Sequence, residues 1–244
     1  MYLKTNGLVV RDVAYQDDYR LLTVLTPDHG KMTFKSKVAK GKQSAKASAC
    51  QLLSYSEFTV FIRKGFCTIR EAVGLEHFLP LRNDLELLSL ATYFAQVAEV
   101  VSQEDCPNPE LLSLTLNAMY AISKLSKPQM LVKSVFELRI ACLAGYLPMV
   151  ENCALCGCTP ECFDVSAGMA LCKSCRKGGG LRIPMAQDTW QAVTYVTTCQ
   201  PGKLFSFTLP DHNLRQLADI GEAYLMTQLE RGFTTLDFYK SILI

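Results

Sequence analysis

Two hydrophobic periods divide this chain. Up to about residue 80, apolar and β-branched residues fall in short runs. They are Leu8-Val9-Val10, Leu21-Leu22-Thr23-Val24-Leu25-Thr26, Met32-Thr33-Phe34, Phe58-Thr59-Val60-Phe61-Ile62 and Cys67-Thr68-Ile69. Runs of this length and make-up predict strands. Pro27-Asp28-His29-Gly30 predicts the turn between the second and third, and Arg63-Lys64-Gly65 the hairpin between the fourth and fifth. Five short strands so closely spaced predict a small β-barrel.

Beyond Pro80 the period lengthens. Leu87, Leu90, Ala91, Phe94, Val97, Ala98 and Val101 recur at helical spacing, as do Leu111, Leu114, Ala118, Ile122 and Leu125 behind Pro107 and Pro109. A third helix is predicted from about Pro128 to Ala144, stopped by Gly145 with Pro148 beyond. Cysteines interrupt the pattern over residues 150–183, and helices resume at 185–199 and 211–231. The expected organisation is α+β: a barrel at 1–80, then an α-helical domain at 81–244 carrying an insert at 150–183.

The insert holds the most specific chemistry. Cys153-Ala154-Leu155-Cys156 and Cys172-Lys173-Ser174-Cys175 are two C-x₂-C pairs separated by fifteen residues. Four thiolates on two tight turns close a tetrahedral shell, so Cys153, Cys156, Cys172 and Cys175 are expected to hold one structural zinc. Cys158 and Cys162 lie close enough to offer a second register. None of the three histidines (His29, His77, His212) is near the cluster, and the H-x-E…P-C-x-x-C pattern of zinc deaminases is missing. The metal is therefore expected to fold a loop too small to build its own core.

Charge adds a second candidate site. The chain carries a formal charge of only +2, but residues 1–80 hold 12 Lys and Arg against 7 Asp and Glu, while 81–150 and 151–244 are slightly acidic. Lys31, Lys35, Lys37, Lys40, Lys42 and Lys46 fall within sixteen residues that contain no acid. Glycines and serines interleave them, which lets backbone approach phosphate. The reading is an electropositive groove tracking a nucleic-acid backbone. Arg20, Arg63, Lys64 and Arg70 would extend it if their strands are neighbours. Tyr15, Tyr19, Phe34 and Phe66 are candidates to stack on bases.

Catalysis is not expected. Walker A, G-x-G-x-x-G, G-x-S-x-G and H-E-x-x-H patterns are all missing. Hydrophobic content of 49% and charged content of 20% are those of a folded globular chain. No apolar run approaches the ~18 residues of a membrane span, and Met1 to Asn6 lack the look of an export signal. Eleven cysteines, an odd number, fit a reducing cytoplasm.

The order of these parts resembles the RecO family of bacterial DNA repair proteins. The resemblance rests on Asp17-Asp18-Tyr19-Arg20-Leu21-Leu22-Thr23-Val24-Leu25-Thr26, on Gly30-Lys31 leading to Val38-Ala39-Lys40-Gly41, and on Phe136-Glu137-Leu138-Arg139 running to Gly145-Tyr146-Leu147-Pro148. The four cysteines follow, and Thr235-Leu236-Asp237-Phe238 closes the pattern. It implies an N-terminal OB-fold, a helical domain with an inserted zinc subdomain, and a non-enzymatic recombination mediator. Such a protein binds single- and double-stranded DNA and anneals complementary strands. It works with RecR and the C-terminal tail of single-strand binding protein (SSB) to load RecA, in a cytoplasmic, nucleoid-associated setting. Lys37 and Lys40 fit the family's basic region best. From the residues alone, an RNA-associated barrel and zinc ribbon, or an unrecognised zinc enzyme, stay open as rivals.

Overall fold

The computed structural model describes residues 1–16, 19–37, 45–63, 65–177 and 179–243. Five strands, β1 (Tyr2–Tyr15), β2 (Tyr19–Thr26), β3 (Gly30–Lys37), β4 (Tyr55–Arg63) and β5 (Phe66–Glu76), close into a barrel of order β1-β2-β3-β5-β4. All neighbours are antiparallel except β3 and β5, which pair in parallel at Phe34↔Cys67 and Lys35↔Thr68. Closure leaves no free sheet edge. The order is OB-like, and the short helix α1 (Ala45–Ala49) lies between β3 and β4 in the chain.

Strand alternation builds the barrel core. Val9, Leu22, Val24, Phe34, Phe58, Val60 and Ile69 point inward and are buried, with Ala49 and Cys50 of the α1 segment among them. Phe34 and Phe58 meet edge to face at 5.4 Å. The turn before β3 is built as its sequence predicts. Thr26 Oγ1 accepts from His29 N at 3.2 Å and donates to Gly30 O at 2.9 Å, and Gly30 takes φ +64.

Helices follow at Pro80. They are α2 (Leu79–Arg82), α3 (Leu85–Val101), α4 (Pro109–Ser123), α5 (Gln129–Leu143), α6 (Gln187–Thr198), α7 (Asp211–Gln228) and α8 (Thr234–Ile242). Asp84 and Asn108 cap α3 and α4 by accepting from the amides three residues on, at 3.0 Å each. A three-stranded sheet of order β7-β6-β8 separates α5 from α6, with β6 Cys162–Asp164, β7 Met169–Leu171 and β8 Arg182–Pro184. The fold is thus α+β, with an OB-like barrel first, helices after it, and four cysteines gathered between α5 and α6.

Packing groups the chain into two compact units, Met1–Lys124 with Phe233–Ile244, and Leu125–Gly232. In the first, α8 packs on α3, and Tyr93 meets Phe233 edge to face at 5.7 Å. In the second, α5 packs on α7. There Lys133 Nζ lies 2.8 Å from both Glu137 and Glu222. No described helix is long and apolar enough to cross a membrane.

Candidate metal centre and nucleic-acid interface

The insert is a pair of knuckles sewn onto a small sheet. In the first, Gly157 N donates to Cys153 O at 2.8 Å, and Cys153 N donates to Cys158 O at the same distance. Gly157 takes φ +75, a left-handed turn that suits a residue without Cβ. In the second, Cys175 N and Arg176 N both donate to Cys172 O, at 3.2 and 3.1 Å. Cys172 directly follows β7, and Ala154 N donates to Ala170 O at 3.0 Å, so the first knuckle is tied to the strand that carries the second.

This folding brings together the Sγ atoms of Cys153, Cys156, Cys172 and Cys175, all within 4.8 Å of one another, with Cys156 and Cys172 3.5 Å apart. Four sulfurs at these separations can hold one metal ion. Burial pushes the Cys153 thiol up, but hydrogen bonds from the backbones of Cys172, Leu155 and Cys156 outweigh it and bring Cys153 down to about 6. Hydrogen bonding to Cys156 and Cys172, with some burial, pushes Cys175 up to about 12. Four thiols cannot all ionise side by side, and a divalent cation removes that conflict. Cys158 is exposed and lies outside the group of four. Cys162 also lies outside it. Burial holds that thiol up, and its Sγ donates to Leu171 O at 3.5 Å. Arg182 fastens the exit: it pairs with Asp164 at 3.1 Å and donates to Arg176 O at 2.8 Å.

The basic residues separate into those on an open face and those already engaged. On β3, Phe34 and Ser36 are buried while Lys35 and Lys37 alternate with them and face outward. Lys37 is exposed and has no acidic partner among the described residues. The Lys35 ammonium lies 3.9 Å above the Tyr19 ring centroid and 5.2 Å from that of Tyr15. Lys31 shares the outward parity, but its Nζ donates to Glu99 O near the end of α3 at 3.0 Å. Lys46 donates to the carbonyls of Ile69 and Arg70, at 3.0 and 3.2 Å, and Arg20 pairs with Asp12. Lys40, Lys42 and Lys64 lie outside the described residues. Among the aromatic candidates, Tyr15 and Phe66 are exposed and Tyr19 is half-buried. Phe34 is wholly buried in the barrel core, because its parity on β3 is opposite to that of the lysines.

An OB-like barrel followed by helices, with a four-cysteine centre between two of them, defines the class of protein. The family described as "Recombination protein O N terminal" matches residues 1–78, and that described as "Recombination protein O C terminal" matches residues 82–237. The chain is 32% identical to the DNA repair protein RecO of Acetivibrio thermocellus over 99% of this chain and 97% of that one. It is 24% identical to the protein of that name from Caldicellulosiruptor bescii, over 98% of each. To the Listeria monocytogenes protein it is 29% identical over 76% of this chain and 73% of the relative. The chain belongs to the RecO family.

Proposed function

We propose that this protein is a recombination mediator in DNA repair. It binds single- and double-stranded DNA on the outward face of β3 and anneals complementary strands. With RecR, and through the SSB C-terminal tail, it helps load RecA onto SSB-coated DNA. The observation that carries this reading is the alternation on β3, which buries Phe34 and Ser36 while turning Lys35 and Lys37 outward in a chain of the RecO family.

The mechanism needs no nucleotide hydrolysis and no catalytic residue. Lysines that neutralise phosphates on two strands lower the repulsion between them, so complementary bases meet. Phosphate contacts carry no base information, so the binding is sequence-tolerant. The metal centre is structural. Zinc–thiolate bonds of about 2.3 Å set sulfur–sulfur edges near 3.8 Å in a tetrahedron, which fits the spacing of Cys153, Cys156, Cys172 and Cys175. All-sulfur ligation favours zinc over harder ions. Such an ion would hold the two knuckles together. The protein works in the cytoplasm, at the nucleoid.

The test is annealing of two complementary oligonucleotides, bare and then coated with SSB, without ATP. Acceleration in both cases is the expected result. No acceleration by folded, metal-loaded protein would overturn the reading, and preference for RNA of the same sequence would move the function to RNA.

A further inference from the structure

The chain holds eleven cysteines, more than one metal centre uses, and their placement is uneven. Only Cys106, Cys156 and Cys158 are exposed. Two of these three share one turn, Cys156-Gly157-Cys158, and Cys156 belongs to the four-sulfur group while Cys158 does not. Residues 154–159 are all exposed, and a Cβ at Gly157 would meet nothing within 4 Å. The tip of the first knuckle therefore stands open to solvent. The other thiols outside the group are more covered. Burial pushes Cys50, Cys67, Cys142, Cys162 and Cys199 up, which lowers their share of reactive thiolate.

We infer that Cys156-Gly157-Cys158 is an oxidation site, where a peroxide closes a disulfide and takes one ligand from the metal centre. This rests on the reading of Cys153, Cys156, Cys172 and Cys175 as a zinc site, and it gives Cys158 a role beside them. The Cys156 thiolate attacks one oxygen of hydrogen peroxide. The O–O bond breaks, hydroxide leaves, and a sulfenic acid forms on Cys156. The Cys158 thiol then attacks that sulfur. Its proton and the sulfenic hydroxyl leave together as water, and the S–S bond forms. One thiolate, one thiol and one peroxide thus give a disulfide, one water and one hydroxide. The two sulfurs lose two electrons, and the two peroxide oxygens gain them.

The chain geometry permits the bond. Residues two apart have Cα atoms no further than about 7 Å from each other, and a disulfide spans up to about 6.8 Å. Closing it asks only that the turn tighten, and the glycine between the two cysteines gives the backbone that freedom. Cys153 is also a neighbour of Cys158, since its amide donates to Cys158 O at 2.8 Å, but Cys153 is only 3% exposed. Solvent-borne oxidant meets Cys156 first. Once Cys156 is tied to Cys158, three sulfurs are left to hold the ion. The ion then passes to a chelator, and the fold of the insert loosens with it. A dithiol reverses the change by thiol–disulfide exchange.

The test uses the full chain with its copurified zinc. Hydrogen peroxide is added, a zinc-chelating dye reports released metal, and disulfides are mapped by mass spectrometry of unreduced peptides. Zinc release is expected in step with a Cys156–Cys158 disulfide, and dithiothreitol with added zinc should restore the starting state. Cys158→Ser should keep its zinc under reducing conditions, which shows that it folds. Under peroxide it should release zinc about tenfold or more slowly, because an attack within one turn replaces an encounter in solution. Cys106→Ser, which removes the third exposed thiol, should release zinc at the parent rate. Equal release from the parent and Cys158→Ser, or a map without the Cys156–Cys158 bond, overturns the oxidation site and leaves the metal centre standing. Protein that purifies without zinc overturns both.

Discussion

Lys35 on β3 holds its ammonium 3.9 Å above the ring of Tyr19 on β2. The ring keeps a cation on the outward face without neutralising it. At an exposed site such a contact is worth only about 0.5–1 kcal/mol, so an arriving phosphate can take the ammonium from it. Lys31, four residues earlier and of the same parity, is held instead by the carbonyl of Glu99. A lysine near the end of a helix satisfies carbonyls that have no amide partner. Two lysines of one strand face therefore do different work.

Replacing Lys35 and Lys37 by alanine should reduce the log–log salt slope for single-strand binding by about 1.4, since each phosphate contact contributes about 0.7. Thermal melting should move little. Lys31→Ala should show the reverse balance. Loss of its contact to Glu99 O should cost about 1 kcal/mol, or about 2–4 °C in Tm, with a smaller change in slope. Salt titrations and melting curves on the same three preparations decide the matter. An unchanged slope in the Lys35/Lys37 variant would remove that face from the interface.

The metal centre makes a separate prediction. One zinc per chain should copurify, and Cys172→Ser should release it while Cys158→Ser should not. Loss of the ion should open the insert to protease between residues 150 and 183, because its fold rests on the shared ligand set and a few strand bonds. Binding of short oligonucleotides by the barrel should survive. Metal analysis, limited proteolysis and binding assays check the three parts. Barrel binding that disappears with the metal would mean the ion does more than fold its own loop.

The Lys133–Glu137 pair on α5 is buried, with 7% and 0% of the two side chains exposed. Burial alone would pull Lys133 down, but Glu137 and Glu222 outweigh it and hold it above its ordinary value. A raised lysine contributes stability that is complete below about pH 10.4, the unfolded value, and is lost as pH rises through the folded one. Lys133→Met should destabilise by about 3–5 kcal/mol by stranding a buried carboxylate. Lys133→Met with Glu137→Leu should recover most of that and flatten the alkaline end of the stability profile. Denaturant melts between pH 8 and 11 check both. A single variant as stable as the parent would show that Glu137 reaches water.

Much of this architecture is legible in local pattern, because period 2 and period 3.6 follow directly from which side chains a strand or helix can bury. Leu21 to Thr26 and Phe58 to Ile62 lie within β2 and β4, and the Leu87 to Val101 repeat lies within α3. The C-x₂-C pairs were legible because ligand spacing is itself local. What local pattern cannot carry is cross-strand pairing. Tyr2 and Phe61 are 59 residues apart and meet only through β1–β4 register, and Arg70 reaches Phe61 only because one residue is inserted in β5. The lysine run shows the same limit from the other side. Its charge reads as one patch, yet the fold ties Lys31 and Lys46 to carbonyls and leaves Lys35 and Lys37 open. Helix α8 buries Leu236 and Tyr239 on one face, but its nine residues make only about two and a half turns, shorter than the window over which a helical period can be read from sequence.

Gly30 is where the barrel closes against the end of α3. It pairs with Glu104 in an isolated bridge, and the next amide, Lys31 N, donates to Gln103 O at 3.0 Å. A Cβ at Gly30 would stand 2.4 Å from Cys106 O and 2.5 Å from Gln103 O, both backbone atoms with no rotamer to turn away. The residue also takes φ +64, a region that costs an L side chain about 1–2 kcal/mol before any clash. Gly30→Ala should therefore destabilise by more than about 2 kcal/mol and lower Tm by more than about 4 °C. Gly202→Ala, where a Cβ meets nothing within 4 Å, should change Tm by less than the error of the measurement. Because Lys31 is held by the same turn, the Gly30 variant should also weaken DNA binding at the β3 face when measured below its melting temperature. Unaltered binding in a destabilised variant would show that the turn holds the barrel shut but does not position the lysines.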